Sequence, residues 1–352
     1  MLLAASAEEA PEEFVARLEG PTVIDEVQYA PAVLRAIKAR VDAERGSFGR
    51  WLLTGSQRFE LMRGAGESLA GRISILELSS LSAAELRRAG FQAAEIGDEL
   101  YLRGGYPELW AERDVEASSW FEDYIRTYVE RDLKALVNVK NLLDFRRFLG
   151  AAAARAGELL NYSDLANGVG VSVNTIKSWV AALELSGLCY LLPPYFANVG
   201  KRLVKTPKLY FADLGLLCAL LGLRDGKLID SGGHRGRLWE HLVFLELIKE
   251  GGFRPGRELF FYRDHGGAEV DFIAIDGGAL RLIEAKHSER IRPERLAGPA
   301  LAETLAAARA AESRVRCLVA APTGANLILP GRGYEVYDPR YADGGSLSAG
   351  VS

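Results

Sequence analysis

The run Thr22-Val23-Ile24-Asp25-Glu26 places three β-branched residues ahead of two acids. β-Branched side chains suit a pleated, packed strand, so this run reads as a short strand whose carboxylates stand at its C-terminal end. The same pattern also suits a strand leading into a helix, because a helix N-terminus welcomes acids. Working outward, Pro31 opens a predicted helix that runs to about Glu44. A second buried strand follows at Arg50-Trp51-Leu52-Leu53-Thr54 and ends in Gly55-Ser56-Gln57. A third strand is predicted from Ile73 to Leu78. Strands that alternate with helices form a parallel sheet with helices on its faces. Ligands of such sheets bind beyond the carboxyl ends of the strands. In a nucleoside triphosphatase the first acid would hold Mg²⁺ through its water shell and the second would polarise the attacking water. Thr54, Ser56 or Gln57 would then lie where a γ-phosphate is sensed.

The succession VIDEVQYAP, LLTGSQ, SLAGR and LELSSLS over about residues 20–90 resembles AAA-type ATPases of bacteria and archaea that carry a C-terminal domain of unknown function. The resemblance implies that Asp25 and Glu26 are the Walker B acids, with Asp25 and Thr54 at the nucleotide and its Mg²⁺. It implies that Gln57 or Thr54 is the polar sensor and that Arg72 lies near the phosphates. ATP and Mg²⁺ are the implied cofactors. For Arg72 a structural ion pair is the competing reading. One departure is large. The pattern Gly-x-x-x-x-Gly-Lys-Ser/Thr, whose backbone N–H groups and lysine cradle the β- and γ-phosphates, does not occur. The 21 residues before Thr22 leave no room for it together with its strand and helix. Either the loop lies in coding sequence upstream or the chain has lost it. ATP hydrolysis is not expected of these 352 residues by themselves.

From about Ser80 to Ala154 apolar residues recur at three- and four-residue spacing, the signature of helices. Leu159 to Ala166 then starts a short helix, with Ser163 or Asp164 as its cap. A turn with Gly168, Gly170 and Ser172 follows, then a second helix from Val173 to Ser186 closed by Gly187. Leu188–Leu192 and Arg202–Ala212 read as the two strands of a wing. In a DNA-binding winged helix the second helix enters the major groove. Asn174, Thr175, Lys177 and Ser178 would face outward, and Lys201, Arg202 and Lys205 on the wing would meet phosphates. Lys208 completes that basic run. Protein docking is the alternative use of such a unit.

The last third holds another constellation. Glu240 lies on a predicted helix, Asp271 lies in the strand 269–275, and Glu284 and Lys286 lie two apart on the strand run Leu282-Ile283-Glu284-Ala285-Lys286. Residues two apart on a strand share a face. Carboxylates so gathered can hold Mg²⁺ or Mn²⁺, and a lysine beside them can lower the pKa of a bound water. The order Glu, Asp, Glu-x-Lys resembles the restriction-endonuclease-like core, and the segment Phe261 to Ser288 resembles the C-terminal domain of the ATPases named above. A merely structural charged cluster is the competing reading. The four histidines show no zinc-ligand spacing.

The fold class expected is therefore α/β. Residues 1–80 form a partial P-loop-type parallel sheet and 81–154 a helical lid. Residues 155–212 form a winged helix, 213–343 a restriction-endonuclease-like domain and 344–352 a disordered tail. The leading expectation is an ATPase-related protein whose nucleotide state controls engagement of DNA or a protein partner. A Mg²⁺-dependent nuclease and a non-enzymatic adaptor or regulator are the alternatives. No run of about 18 apolar residues exists, so no transmembrane helix is expected. The longest apolar run, Leu214–Leu223, follows Asp213 and reads as a core helix. The N-terminus shows no basic region before an apolar block, so no signal peptide is expected, and Cys189, Cys218 and Cys317 lack metal spacing, which fits reduced thiols in a cytoplasmic protein. A net charge of −4 confines any nucleic-acid contact to a local patch. Oligomeric state is left open.

Overall fold

The computed structural model describes residues 2–44, 46, 48–55, 69–129, 141–195, 205–264, 266–288, 291, 296–308, 315–324, 327–328 and 334–341. These fall into two compact units, Met1–Leu78 with Leu185–Gly187, and Ser79–Glu184 with Leu188–Ser352.

The first unit holds helices α1 (Leu2–Glu9), α2 (Pro11–Ala16) and α3 (Ala32–Ala43), and strands β1 (Thr22–Ile24) and β2 (Trp51–Leu53). Val33, Leu34 and Ile37 recur at helical spacing along α3 and are buried with Val15 and Val27. The first turn of α3 is capped by α1, whose Glu8 carboxylate accepts from the Ala32 N–H at 2.9 Å. β1 and β2 pair in parallel, Thr22 with Trp51 and Ile24 with Leu53. A parallel pair needs a long crossover between its strands, and α3 is that crossover. Successive side chains alternate across the pair. Ile24, Trp51 and Leu53 pack on the α3 core, whereas Val23 and Leu52 stay 63% and 55% exposed. The strand expected at Ile73–Leu78 is a correction. These residues join no strand ladder, and Leu76 and Leu78 are 89% and 102% exposed. An apolar run becomes a strand only where a neighbour accepts its hydrogen bonds, and among the described residues this sheet has two strands.

The second unit begins with α4 (Ala83–Arg88), α5 (Ala93–Arg103), α6 (Pro107–Ala111), α7 (Ala117–Tyr124) and α8 (Leu142–Ala154). Next come α9 (Tyr162–Val169), α10 (Val173–Leu185) and a two-stranded antiparallel sheet of β3 (Cys189–Leu192) and β4 (Lys208–Phe211). Asn161, rather than Ser163 or Asp164, caps α9, its carbonyl oxygen accepting from both of their N–H groups at 3.1 Å. Helices α11 (Leu214–Leu220), α12 (Gly226–Ser231) and α13 (Arg235–Lys249) follow. Asp213 ties three segments together. Its carboxylate accepts from the N–H groups of Gly215 and Leu216 at the start of α11, from Ser80 Oγ at 2.9 Å and from the Gly105 N–H at 2.8 Å. This close approach explains Gly104-Gly105. Gly104 has φ +60°, and a Cβ there would overlap the Asp213 carboxylate, while one on Gly105 would overlap the Leu81 carbonyl.

The remaining elements form a six-stranded sheet in the order β5-β6-β7-β8-β10-β9. Strands β5 (Leu259–Arg263), β6 (Glu269–Asp276) and β7 (Ala279–Ala285) make an antiparallel meander. Helix α14 (Gly298–Ala308) then crosses to β8 (Val315–Ala320), which lies parallel to β7. β10 (Glu335–Tyr337) pairs parallel with β8, and β9 (Leu327–Ile328) closes the edge. Ile283 and Leu318 join the apolar cluster that holds the α13 residues Leu238, Leu242 and Leu245. Leu282 and Val319 join the cluster that holds Leu301 of α14. Period-two alternation thus gives the sheet a helix on each face.

One apolar cluster runs from Ala83 to Tyr337. Phe145 and Phe148 of α8 each lie 5.3 Å from the Trp179 ring of α10, and Tyr210 of β4 stacks on Phe244 of α13 at 4.0 Å. The boundaries expected at 154 and 212 fall inside this shared core. Cys189, Cys218 and Cys317 are free and buried. Among the described residues no helix is long and apolar enough to cross a membrane.

Candidate functional site

At the C-terminal edge of β1 and β2 the ladder continues one step beyond each strand. The Thr54 N–H donates to the Ile24 carbonyl at 3.0 Å and the Val27 N–H to the Thr54 carbonyl at 3.0 Å. This places the Thr54 hydroxyl between the two acids. It donates to Asp25 Oδ1 and accepts from the Glu26 N–H at 3.2 Å. Glu26 is the one non-glycine residue with positive φ among the described residues, at +53°. The left-handed conformation costs a glutamate about 1 kcal/mol or more and turns the chain sharply off the strand end. Gln28 Nε2 donates to the Glu26 carboxylate. Asp25 is exposed.

Arg72 is not part of this cluster. Its Nε donates to Asp42 Oδ1 at 2.6 Å and its Nη1 to the Ala70 carbonyl at 3.0 Å. Asp42 lies in the last turn of α3, and α3 leads from the C-terminal edge of β1 back to the start of β2. The ion pair therefore belongs to the opposite edge of the strands. Gln57 and Ser56 lie outside the described residues.

On α10, Asn174 and Lys177 are exposed, with Lys177 Nζ 5.9 Å from the centre of the Tyr162 ring. The Thr175 hydroxyl is tied to Ser172 Oγ at 2.8 Å. Lys205 is exposed, and Lys201 and Arg202 lie outside the described residues. Lys208 departs from the basic run in which the sequence placed it. It is 3% exposed and turned inward from β4.

Lys208 leads to the acidic centre. Its ammonium lies 3.1 Å from Glu240 Oε1 on α13 and 2.7 Å from Glu269 Oε1 on β6. Tyr210, two residues along the same strand, donates its hydroxyl to Glu240 Oε1 at 2.6 Å. The β6–β7 ladder ends at the pair Phe272–Ile283. Just past it, Asp271 Oδ2 accepts from the Ala285 N–H at 2.8 Å. Glu284 is 4% exposed. Its Oε1 accepts from the Gly298 N–H, the first residue of α14, at 2.8 Å, and its Oε2 lies 3.2 Å from Lys286 Nζ. Lys286 also reaches to 3.9 Å from Asp271 Oδ2. Arg263 stands 3.5 Å from Glu269.

The electrostatics follow from this crowding. Burial and the neighbouring Glu240 push the Asp271 carboxyl up to about 7, against the pull of Lys208, Lys286 and the Ala285 N–H. Burial favours a neutral Lys208 amine, but Glu240, Asp271 and Glu269 outweigh it and raise its pKa. Burial, reinforced by Glu240, lifts the Tyr210 phenol well above its ordinary value, so it stays a hydrogen-bond donor. His241 is held neutral, pushed down to about 4 by burial, and its Nε2 donates to the Phe211 carbonyl at 2.7 Å.

Three parts of the chain match known families. Residues 2–87 match the family described as an AAA domain. Residues 95–227 and 235–321 match two domains of unknown function, DUF8612 and DUF4143. Uncharacterized proteins of Mycobacterium tuberculosis and Mycobacterium bovis are each 34% identical to the chain over 262 residues, covering 74% of this chain and 57% of each relative. No solved structure matches.

Within the AAA match lie Asp25, Glu26, Thr54 and Arg72. Within DUF4143 lie Glu240, Asp271, Glu284 and Lys286. Sequence reading missed Lys208, Tyr210 and Glu269. A faint signal existed, since Lys208 and Tyr210 are two apart on a strand, as are Glu269 and Asp271. Each pair sends both members to the same side.

Proposed function

We propose that residues 1–78 supply the Walker B half of an AAA-type nucleotide-binding sheet, and that nucleotide state governs engagement of DNA or a protein partner by the remainder of the chain. The observation that carries this reading is the clustering of Asp25, Glu26 and Thr54 at the C-terminal edge of two parallel strands. That edge is where nucleotides meet such sheets. The donor set fits Mg²⁺, which would supply positive charge to the phosphate oxygens. Asp25 presents an exposed carboxylate, Thr54 orients it, and Glu26 is set to accept a proton from water. The chain lacks the Gly-x-x-x-x-Gly-Lys-Ser/Thr loop, so hydrolysis requires a phosphate-binding segment from elsewhere.

Phosphate release with Mg²⁺ tests this reading. The 352-residue chain should show no turnover. A form extended to include a phosphate-binding loop should hydrolyse ATP, and Glu26→Gln in it should cut turnover at least ~100-fold while nucleotide binding persists, as loss of a water-positioning group does. Equal turnover in wild type and Glu26→Gln would remove Glu26 from the proposed role.

Two further readings rest on topology. Helices α9 and α10 followed by the β3–β4 pair support a winged helix that offers Asn174 and Lys177 to a partner. The succession α13-β5-β6-β7-α14-β8 supports a restriction-endonuclease-like core. Nuclease chemistry would need Glu240, Asp271 and Glu284 to hold a divalent ion. Among the described residues, no group of three or more His, Cys, Asp or Glu side chains is placed to hold a metal ion. Both oxygens of Glu284 are already engaged. The residues do not fit the ion, and a C-terminal domain without nuclease activity is the reading they favour.

A further inference from the structure

Lys208 accounts for that misfit. An ammonium is costly to bury, and the cost is recovered only where anions surround it. Lys208 nonetheless sits at 3% exposure, in a four-residue strand all of whose members are buried. It lies between a carboxylate on α13 and one on β6, at 3.1 and 2.7 Å. The Phe261 ring stands 5.5 Å from its nitrogen. Tyr210 adds a hydroxyl to the same Glu240 oxygen. Lys286 performs the matching task for Glu284 and Asp271. The carboxylates that the sequence offers to a metal are thus shared between two lysines, one brought by β4 and one carried by the sheet itself.

We propose that Lys208 is the resident cation of this centre, its ammonium holding by a covalent tether the place between Glu240 and Glu269 that a divalent ion would otherwise fill. The β3–β4 hairpin is then a plug, and the acidic centre is closed while β4 is in place. Without the ammonium, carboxylates crowded in a desolvated pocket repel one another, and the pocket demands a replacement cation.

Thermal melting of the full chain with and without MnCl₂, together with Mn²⁺ titration followed by electron paramagnetic resonance, tests the plug. The wild type should show no Mn²⁺ binding and no shift that Glu269→Gln removes. Lys208→Met keeps the length of the side chain and removes the charge. It should melt about 5–10 °C lower without the ion, as loss of one partner of a buried pair does. Mn²⁺ should restore at least half of that loss, and Glu269→Gln added to the same variant should abolish the restoration. Wild-type binding of Mn²⁺ that Glu269→Gln removes would overturn the proposal. A loss of stability that no concentration of Mn²⁺ restores would overturn it as well, leaving Lys208 as an ordinary buried ion pair. If Lys208→Met fails to fold, Lys208→Met with Glu240→Gln removes both charges and should fold. Failure of that double variant would also count against the proposal. Each comparison turns on Lys208 or Glu269 rather than on Asp25 or Glu26, so its failure is distinct from failure of the AAA reading.

Discussion

Glu246 is a carboxylate on α13 at 2% exposure. Its Oε1 accepts from the Ala83 N–H at 2.9 Å, and its Oε2 is buried without a hydrogen-bond partner among the described residues. Burial pushes this carboxyl up to about 7, against the pull of Lys249. The native protein therefore keeps a proton here that the unfolded chain releases near its ordinary value of 4.5. Stability falls as pH rises from about 4.5 towards 7 and levels off above that. Glu246→Gln should flatten this decline and raise stability at pH 8 by roughly 1–3 kcal/mol, with little change at pH 4.5. Asp271 is shifted the same way, so part of the slope persists. Urea unfolding at four pH values checks this, and parallel curves for the two proteins would clear Glu246 of the effect.

Among the elements, the junction around Gly104 is the most exacting. Gly104→Ala would set a Cβ against the Asp213 carboxylate from a backbone at φ +60°. It should cost about 3 kcal/mol or more, because strain and a broken buried hydrogen-bond knot add. Gly90→Ala is the control, with φ +100° and no atom within 4 Å of its Cβ, so only the backbone strain remains. Denaturant melts that show equal losses would mean that the Asp213 contact contributes nothing. Elements of this kind divide by how far their causes lie along the chain. The strands β6 and β7 were legible because each is a short run of mostly apolar residues, a local signal. So was α3, with its apolar stripe behind Pro31. Ile73–Leu78 was misread because a strand depends on its neighbour. Arg72 was ambiguous because its partner, Asp42, is set by packing. Lys208 was misread for the same reason. Nearby Lys201, Arg202 and Lys205 suggested a solvated basic run, while Glu240 and Glu269, which bury it, lie on later elements. Asp271, Glu284 and Lys286 were found because their strands are local apolar runs, but the chemistry there depends on Lys208.

At the scale of the whole molecule, a net charge of −4 opposes approach to nucleic acid, and attraction must be local. If α10 and the wing meet DNA, Lys177→Ala with Lys205→Ala should reduce the slope of log affinity against log salt by about 0.9 per lost phosphate contact. Filter binding or fluorescence anisotropy between low and physiological salt measures it, and an unchanged slope would assign this face to protein docking. The shared core of residues 79–352 has a further consequence, for chemical reactivity. Lys208 projects from a fully buried strand, whereas Lys177 and Lys205 are exposed. Amine-acylating reagents should label those two within minutes and reach Lys208 only through opening of the core. The time course of its acylation, followed by mass spectrometry, is then a clock for how often this part of the molecule comes apart.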